Sequence, residues 1–197
     1  MAVKRGPRFK ECRRLGVNVC GNPKALDRAN APAFKSKGKK SDYALHLIEK
    51  QKVRAYYGIL ERQLIRYYEK ASKKSGKTGE QLIILLECRL DNLVYRLGFA
   101  SSIRMARQMV SHGHILVDGK KINIASYEVA VGSKIELAEK MRSSKQFKET
   151  FLADNKKALP YLERDEQNFC GTLVSVPVRA DIPVEINDQL VVEYYSK

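Results

Sequence analysis

Tryptophan is absent from this 197-residue chain, and histidine occurs only as His46, His112 and His114. A basic helix that lies on a membrane surface carries Trp or Phe on its apolar side, whereas the cations here are spread over many segments. No apolar run approaches the roughly 18 residues of a membrane span. The longest, Leu82 to Leu86, has the length of one buried helix segment. No membrane partner is expected. Glycine-rich phosphate loops, a nucleophile elbow and metal-spaced carboxylate clusters are missing as well, and His112 and His114 have no evident partner carboxylate for acid–base work. The chain is therefore not expected to be an enzyme, to take a small-molecule substrate or to hold a cofactor. The four cysteines, Cys12, Cys20, Cys88 and Cys170, are too scattered for a disulfide framework and suit a reducing cytosol. Cys12 and Cys20 have no histidine nearby, and two thiols do not complete the tetrahedral set of a structural zinc, so no metal is expected.

Acid is also in short supply. Lys and Arg number 37 against 22 Asp and Glu, a net charge of +15. Such an excess opposes compaction unless a polyanion neutralises it, and nucleic acid, an anionic membrane or an acidic protein could do that. The length allows a real core in one or two domains. The start of the chain has no apolar segment of the kind a secretory signal needs. Residues 1–40 concentrate Lys4, Arg5, Arg8, Lys10, Arg13 and Arg14 at one end and Lys35, Lys37, Lys39 and Lys40 at the other, with few apolar anchors. This composition reads as a basic arm that orders against RNA as counterions leave.

Residues 41–90 read as three short-looped helices. Ser41 or Asp42 opens the first, Leu45, Ile48, Val53 and Tyr56 point inward, and Gly58 ends it. The second carries Leu60, Leu64, Tyr67, Tyr68 and Ala71. Thr78 and Gln81 form a capping box for the third, which holds Leu82, Leu85 and Leu86. In Tyr56-Tyr57 and Tyr67-Tyr68 adjacent rings diverge by about 100°, so only one of each pair can lie deep in the core. His46, between Leu45 and Leu47, reads as structural.

Residues 89–137 give the sharpest pattern. Asp91 can cap a short helix with Leu93, Val94 and Leu97 inward and Gly98 at its end. Ser101 or Ser102 caps the next, which Gly113 closes. There Ile103, Ala106, Met109 and Val110 form an apolar stripe, and Arg104, Arg107, Gln108 and Ser111 are assigned to the opposite face. Ile115 to Ile122 reads as a hairpin about Asp118-Gly119, a pair suited to a type I′ turn. This helix–helix–hairpin unit presents guanidinium, amide, hydroxyl and ammonium donors to phosphate beside the His112-Gly113-His114 corner. Further on, Tyr127–Val131, Lys134–Leu137, Tyr161–Arg164 and Phe169–Val176 read as strands and 143–153 as a helix, which gives a small antiparallel or mixed sheet. The closing segment is ambiguous: Leu190, Val192 and Tyr194 alternate as in a strand, while Asn187 could cap a helix.

RLDNLVYRLGF followed by ARQMVSHGHILVDGKKINIASYEV resembles the RNA-binding module named after protein four of the small ribosomal subunit. EKQKVRAYYGILERQ, TGEQL with LLECRLDN, and INDQLVVEYYSK extend the likeness to the bacterial ribosomal protein of that family from about Ser41 onward. The chain lacks the zinc-binding N-terminal cysteine cluster of some relatives and has KSKGKK where a GQH-containing loop is common. The resemblance implies a terminal helix docked on the helical cluster. The expected fold is α+β: a basic arm (1–40), a helical domain (41–90) completed by residues 178–197, and an inserted α/β RNA-binding domain (91–177) whose module lies at about 89–137. It also implies a cytoplasmic structural constituent of the small ribosomal subunit. Such a protein binds ribosomal RNA early, nucleates assembly of the subunit body, touches ribosomal protein five and other small-subunit proteins, and influences translational accuracy. A free-standing RNA-binding adaptor or translational repressor built on the same module is the alternative. Candidate RNA contacts are Arg13 and Arg14 on the arm and Lys50, Lys52, Arg54 and Arg62 on the helical segment. On the module they are Arg104, Arg107, Gln108, Ser111, His112, Lys120 and Lys121.

Overall fold

A computed structural model of the chain describes residues 6–27, 41–152 and 159–196. It divides into two compact units, Met1–Ile83 with Val184–Lys197, and Ile84–Pro183.

In the first unit, helix α2 (Asp42–Tyr56) starts where the Ser41 hydroxyl accepts from the Ala44 N–H. Helix α3 (Glu61–Ser72) follows, and α4 (Thr78–Glu87) begins on Thr78 itself, so the threonine is a first-turn residue rather than the cap expected of it. The chain end is helical: in α9 (Asp188–Ser196) the Asn187 side chain accepts from the N–H groups of Gln189 and Leu190, and the helix packs along α2. The cap outweighs the alternation of Leu190, Val192 and Tyr194. At the start of α9 the backbone comes so close to α4 that a Cβ on Gly79 would lie 2.8 Å from the Asp188 Cβ.

Part of the expected basic arm is core. Helix α1 (Arg8–Leu15) and the 3-10 turn Pro23–Ala25 bury Cys12, Leu15, Val17, Val19 and Ala25 in one cluster with Ala55 of α2, and Phe9, Leu26, Ile48 and Tyr56 pack around it. The apolar residues that do this are spaced irregularly among cations, which hid them from a composition-based reading. Lys4, Arg5, Lys35, Lys37, Lys39 and Lys40 lie outside the described residues.

In the second unit, α5 (Leu90–Arg96) and α6 (Ile103–Ser111) pack against each other. The strands β1 (Ile115–Val117), β2 (Lys120–Lys121), β3 (Lys134–Leu137), β4 (Leu162–Asp165) and β5 (Cys170–Leu173) pair antiparallel in the order β2-β1-β3-β5-β4. The β1–β2 hairpin turns at Asp118 (φ 50°) and Gly119 (φ 73°), both left-handed as a type I′ turn requires. Val117 pairs with Ile135 and Ile115 with Leu137, which puts four buried apolar side chains on one face of the sheet. Opposite Ile135 stands Gly171, where a Cβ would meet Leu97 Cδ1 at 2.8 Å, so α5 fills the place of a side chain there. Short helices α7 (Glu139–Arg142) and α8 (Lys145–Leu152) follow β3, and Phe151 of α8 stacks on Phe99 at 4.6 Å. Residues 127–131 are not a strand. Their backbone instead holds the approach to α5, with Leu90 N–H donating to Tyr127 O at 2.8 Å and Val129 N–H to Cys88 O at 3.0 Å.

Candidate nucleic-acid interface

The second unit is braced by buried charge. Asp91 is fully buried at the second position of α5, so it is not the expected cap. Its carboxylate accepts from Arg89 Nε (3.0 Å) and Nη2 (2.8 Å) and from Arg107 Nε (2.9 Å) and Nη2 (2.6 Å). Two guanidiniums on one carboxylate lock α5 to α6. Glu87, also buried, accepts from Arg96 Nε at 2.7 Å and from the Tyr161 hydroxyl at 2.8 Å. Burial and the Glu87 charge push the Tyr161 phenol far above its ordinary value, so it stays protonated and donates to Glu87.

Arg107 therefore does not face solvent with Arg104. On a helix it lies about 40° from Ile103, at the border of the apolar stripe, and it is only 9% exposed. What remains along the outer strip of α6 is Arg104, Gln108 and Ser111, at i, i+4 and i+7, with Gln108 and Ser111 exposed and Arg104 half-buried. The Ser102 hydroxyl caps the helix by accepting from Met105 N–H. Past its end come the exposed His112 and, across the hairpin, the exposed Lys120 and Lys121.

Gly113 (φ 69°) makes that corner possible, because the Lys121 stem runs over it and Nζ would lie 2.8 Å from any added Cβ. His112 and His114 stand edge to face, centroids 5.7 Å apart. Burial, the neighbouring His112 and Lys121 hold the His114 imidazole below its ordinary value. His114 belongs to the corner that the sequence sets beside the phosphate donors, although it is not among the contacts named from sequence.

On the first unit the candidates divide. Lys50 is buried, its ammonium donating to Glu61 Oε1 at 3.1 Å and sitting 4.1 Å from the centre of the Tyr194 ring. Glu61 also binds Arg54 Nη1 at 3.1 Å and the Tyr195 hydroxyl at 2.9 Å, so α2, α3 and α9 close on one carboxylate. Lys52 pairs with Glu49 at 2.6 Å, and Glu49 also accepts the Asn187 N–H. Lys50 is thus an internal strut, while Lys52 and Arg54 are half-buried and paired. His46, expected to be structural, is buried and bonds Glu193 Oε2 at 2.9 Å. Arg62, by contrast, is exposed on α3, and Arg66 and Lys70 follow it at i+4 and i+8 on the same exposed line. Those two are further cations that helical spacing could have flagged. On α1, Arg14 is exposed and Arg13 half-buried.

Comparison with known proteins gives this surface a family. Residues 4–87 match the family model described as ribosomal protein S4/S9 N-terminal domain, and residues 88–135 match the one described as S4 domain. The chain is 52% identical to small ribosomal subunit protein uS4 of Finegoldia magna, with all of both chains covered. It is 47% identical to small ribosomal subunit protein uS4B of Clostridium acetobutylicum, again over all of both. Identity is also 47% to the uS4 protein of Persephonella marina, with 97% of each covered. With both family models matched in tandem and half of its residues shared with full-length relatives, the chain belongs to the ribosomal protein S4 family.

Proposed function

We propose that this chain is a structural protein of the small ribosomal subunit that binds the subunit's RNA through the outer strip of α6, the His112–His114 corner and the β1–β2 hairpin. The observation that carries this reading is a surface of donors, Arg104, Gln108, Ser111, His112, Lys120 and Lys121, mounted on a sheet and a helix pair that buried charge makes rigid. Ammonium, guanidinium, hydroxyl and amide groups on a fixed frame suit phosphate oxygens and ribose, and recognise RNA by shape more than by base edges. Arg14 and the Arg62, Arg66 and Lys70 line supply phosphate contacts from the first unit. Each basic unit would supply phosphate contacts of its own. The family likeness extends this to early binding, nucleation of the subunit body and an influence on decoding accuracy, in contact with ribosomal protein five and other small-subunit proteins. The place of action is the ribosome in the cytoplasm, and the role is structural rather than catalytic.

The test is filter binding to a small-subunit ribosomal RNA transcript. Arg104→Glu with Lys120→Glu and Lys121→Glu, all outside the core, should weaken binding by more than tenfold and leave the circular dichroism spectrum unchanged. Wild-type affinity in a folded triple variant would remove this surface from the interface.

A further inference from the structure

Three nitrogen donors converge beside Gly113. Lys121 is laid over the glycine with no room for a Cβ beneath it. His112 and His114 flank the same residue with their rings nearly perpendicular, at 83°. Among the described residues the His114 ring has neighbours from three elements. Lys121 comes from the hairpin and His112 from the end of α6. Phe147 comes from α8, with ring centroids 6.0 Å apart. The His114 backbone is held by Ala138 N–H, which donates to its carbonyl at 2.8 Å, and by its own N–H donating to Met109 O at 2.9 Å. Among the described residues, the charged groups that act on His114 are His112 and Lys121, both basic. Elsewhere in the same unit buried charge is matched within hydrogen-bond distance, as at Asp91 and Glu87. Among the described residues the corner gathers basic groups on a backbone pinned at both sides, an arrangement that suits an anion.

We propose that His112, His114 and Lys121 form one seat for a phosphodiester group of RNA, and that filling it draws a proton onto His114, so that RNA binding by this chain is proton-linked. This rests on the RNA-binding function proposed above and adds a site and a regulation to it. Without RNA, partial burial, His112 and Lys121 hold the His114 imidazole below its ordinary value and so oppose its protonation. A phosphate between the three groups reverses the sign of the local field, and the imidazolium then donates to a phosphate oxygen. The exchange is a simple proton uptake from solvent, with no bond to the ligand formed or broken.

Affinity of the full chain for a small-subunit ribosomal RNA transcript, measured from pH 8 down to pH 6 at constant ionic strength, tests this. Wild type should tighten several-fold, bounded by about tenfold per pH unit for one proton, and His114→Gln should lose most of that gain while still binding at pH 8. Should His114→Gln fold poorly, calorimetric titration of wild type near pH 6.5 in two buffers of different protonation enthalpy counts the proton directly. Equal pH dependence in wild type and a folded His114→Gln, or no uptake by wild type, would overturn the seat while RNA binding itself stands. Failure of wild type to bind the transcript at any pH would instead overturn the broader function, and the seat with it.

Discussion

Replacing Arg107 separates a frame residue from an RNA contact. The side chain supplies two of the four hydrogen bonds on the buried Asp91 carboxylate, at 2.9 and 2.6 Å, and joins residues sixteen positions apart. Arg107→Ala leaves Asp91 with Arg89 alone and opens a gap between α5 and α6. Removing one partner of a buried pair costs about 3–5 kcal/mol when the other charge is stranded, whereas losing charge-assisted hydrogen bonds alone costs about 1.5–3 kcal/mol. Because Arg89 still pairs with Asp91, the expected loss is about 2–4 kcal/mol between those limits. Arg107→Glu would be worse, as it sets a second carboxylate against Asp91. The assay is urea denaturation of the full chain, with a double-mutant cycle through Asp91→Ala to isolate the coupling. Arg104→Glu in the same assay should cost less than Arg107→Ala and should weaken RNA binding. If Arg107→Ala is as stable as wild type and its sole defect is RNA binding, the role of Arg107 as a frame residue is refuted.

Other perturbations have equally definite outcomes. Deleting residues 1–27 should lower the melting temperature, because it strips Ile48, Ala55 and Tyr56 of the cluster built by Cys12, Leu15, Val17 and Val19; unchanged melting would mean that this cluster contributes nothing. Gly171→Ala should destabilise by about 1–3 kcal/mol, since its Cβ would meet Leu97 and the Glu163 carbonyl, the latter at 3.0 Å; urea denaturation reads it. His114 is held below its ordinary value in the folded chain, so the unfolded chain takes up its proton first as pH falls. Its contribution to stability is complete above the ordinary imidazole value and is lost as pH drops toward the folded value. Wild type without RNA should therefore lose stability more steeply than His114→Gln between about pH 7 and pH 5, which denaturation at several pH values would show.

Local signals carried the fold a long way. The Ser41 and Ser102 caps, the Asp118-Gly119 turn and the alternation in Lys134–Leu137 each depend on a few neighbouring residues, and each stands where the sequence puts it. The terminal helix needed the family likeness to choose between two patterns. What the sequence could not show was burial that depends on distant partners. Asp91 looked like a cap because aspartate favours that place, but Arg107, sixteen residues on, makes the same carboxylate a core group. Lys50 looked like a solvent cation until α3 and α9 brought Glu61 and Tyr194 around it. Residues 1–40 read as a basic arm too poor in apolar residues to fold alone, but Cys12, Leu15, Val17, Val19 and Ala25 find the apolar surface they need on α2. On the site, Gln108, Ser111, His112, Lys120 and Lys121 stay at the surface. Those that found an acid nearby, Lys50, Lys52, Arg54 and Arg107, were drawn into the frame.

The salt dependence of RNA binding tests the central claim most directly. If cations on a rigid frame clamp the phosphate backbone, log affinity for a small-subunit ribosomal RNA transcript falls linearly with log salt, by roughly 0.7–0.9 per phosphate neutralised. With Arg14, Arg62, Arg66, Lys70, Arg104, Lys120 and Lys121 engaged, the slope should be roughly −5 to −6, and Lys120→Gln with Lys121→Gln should make it shallower by nearly two. A slope near zero, or one that this pair of changes leaves untouched, would contradict the account.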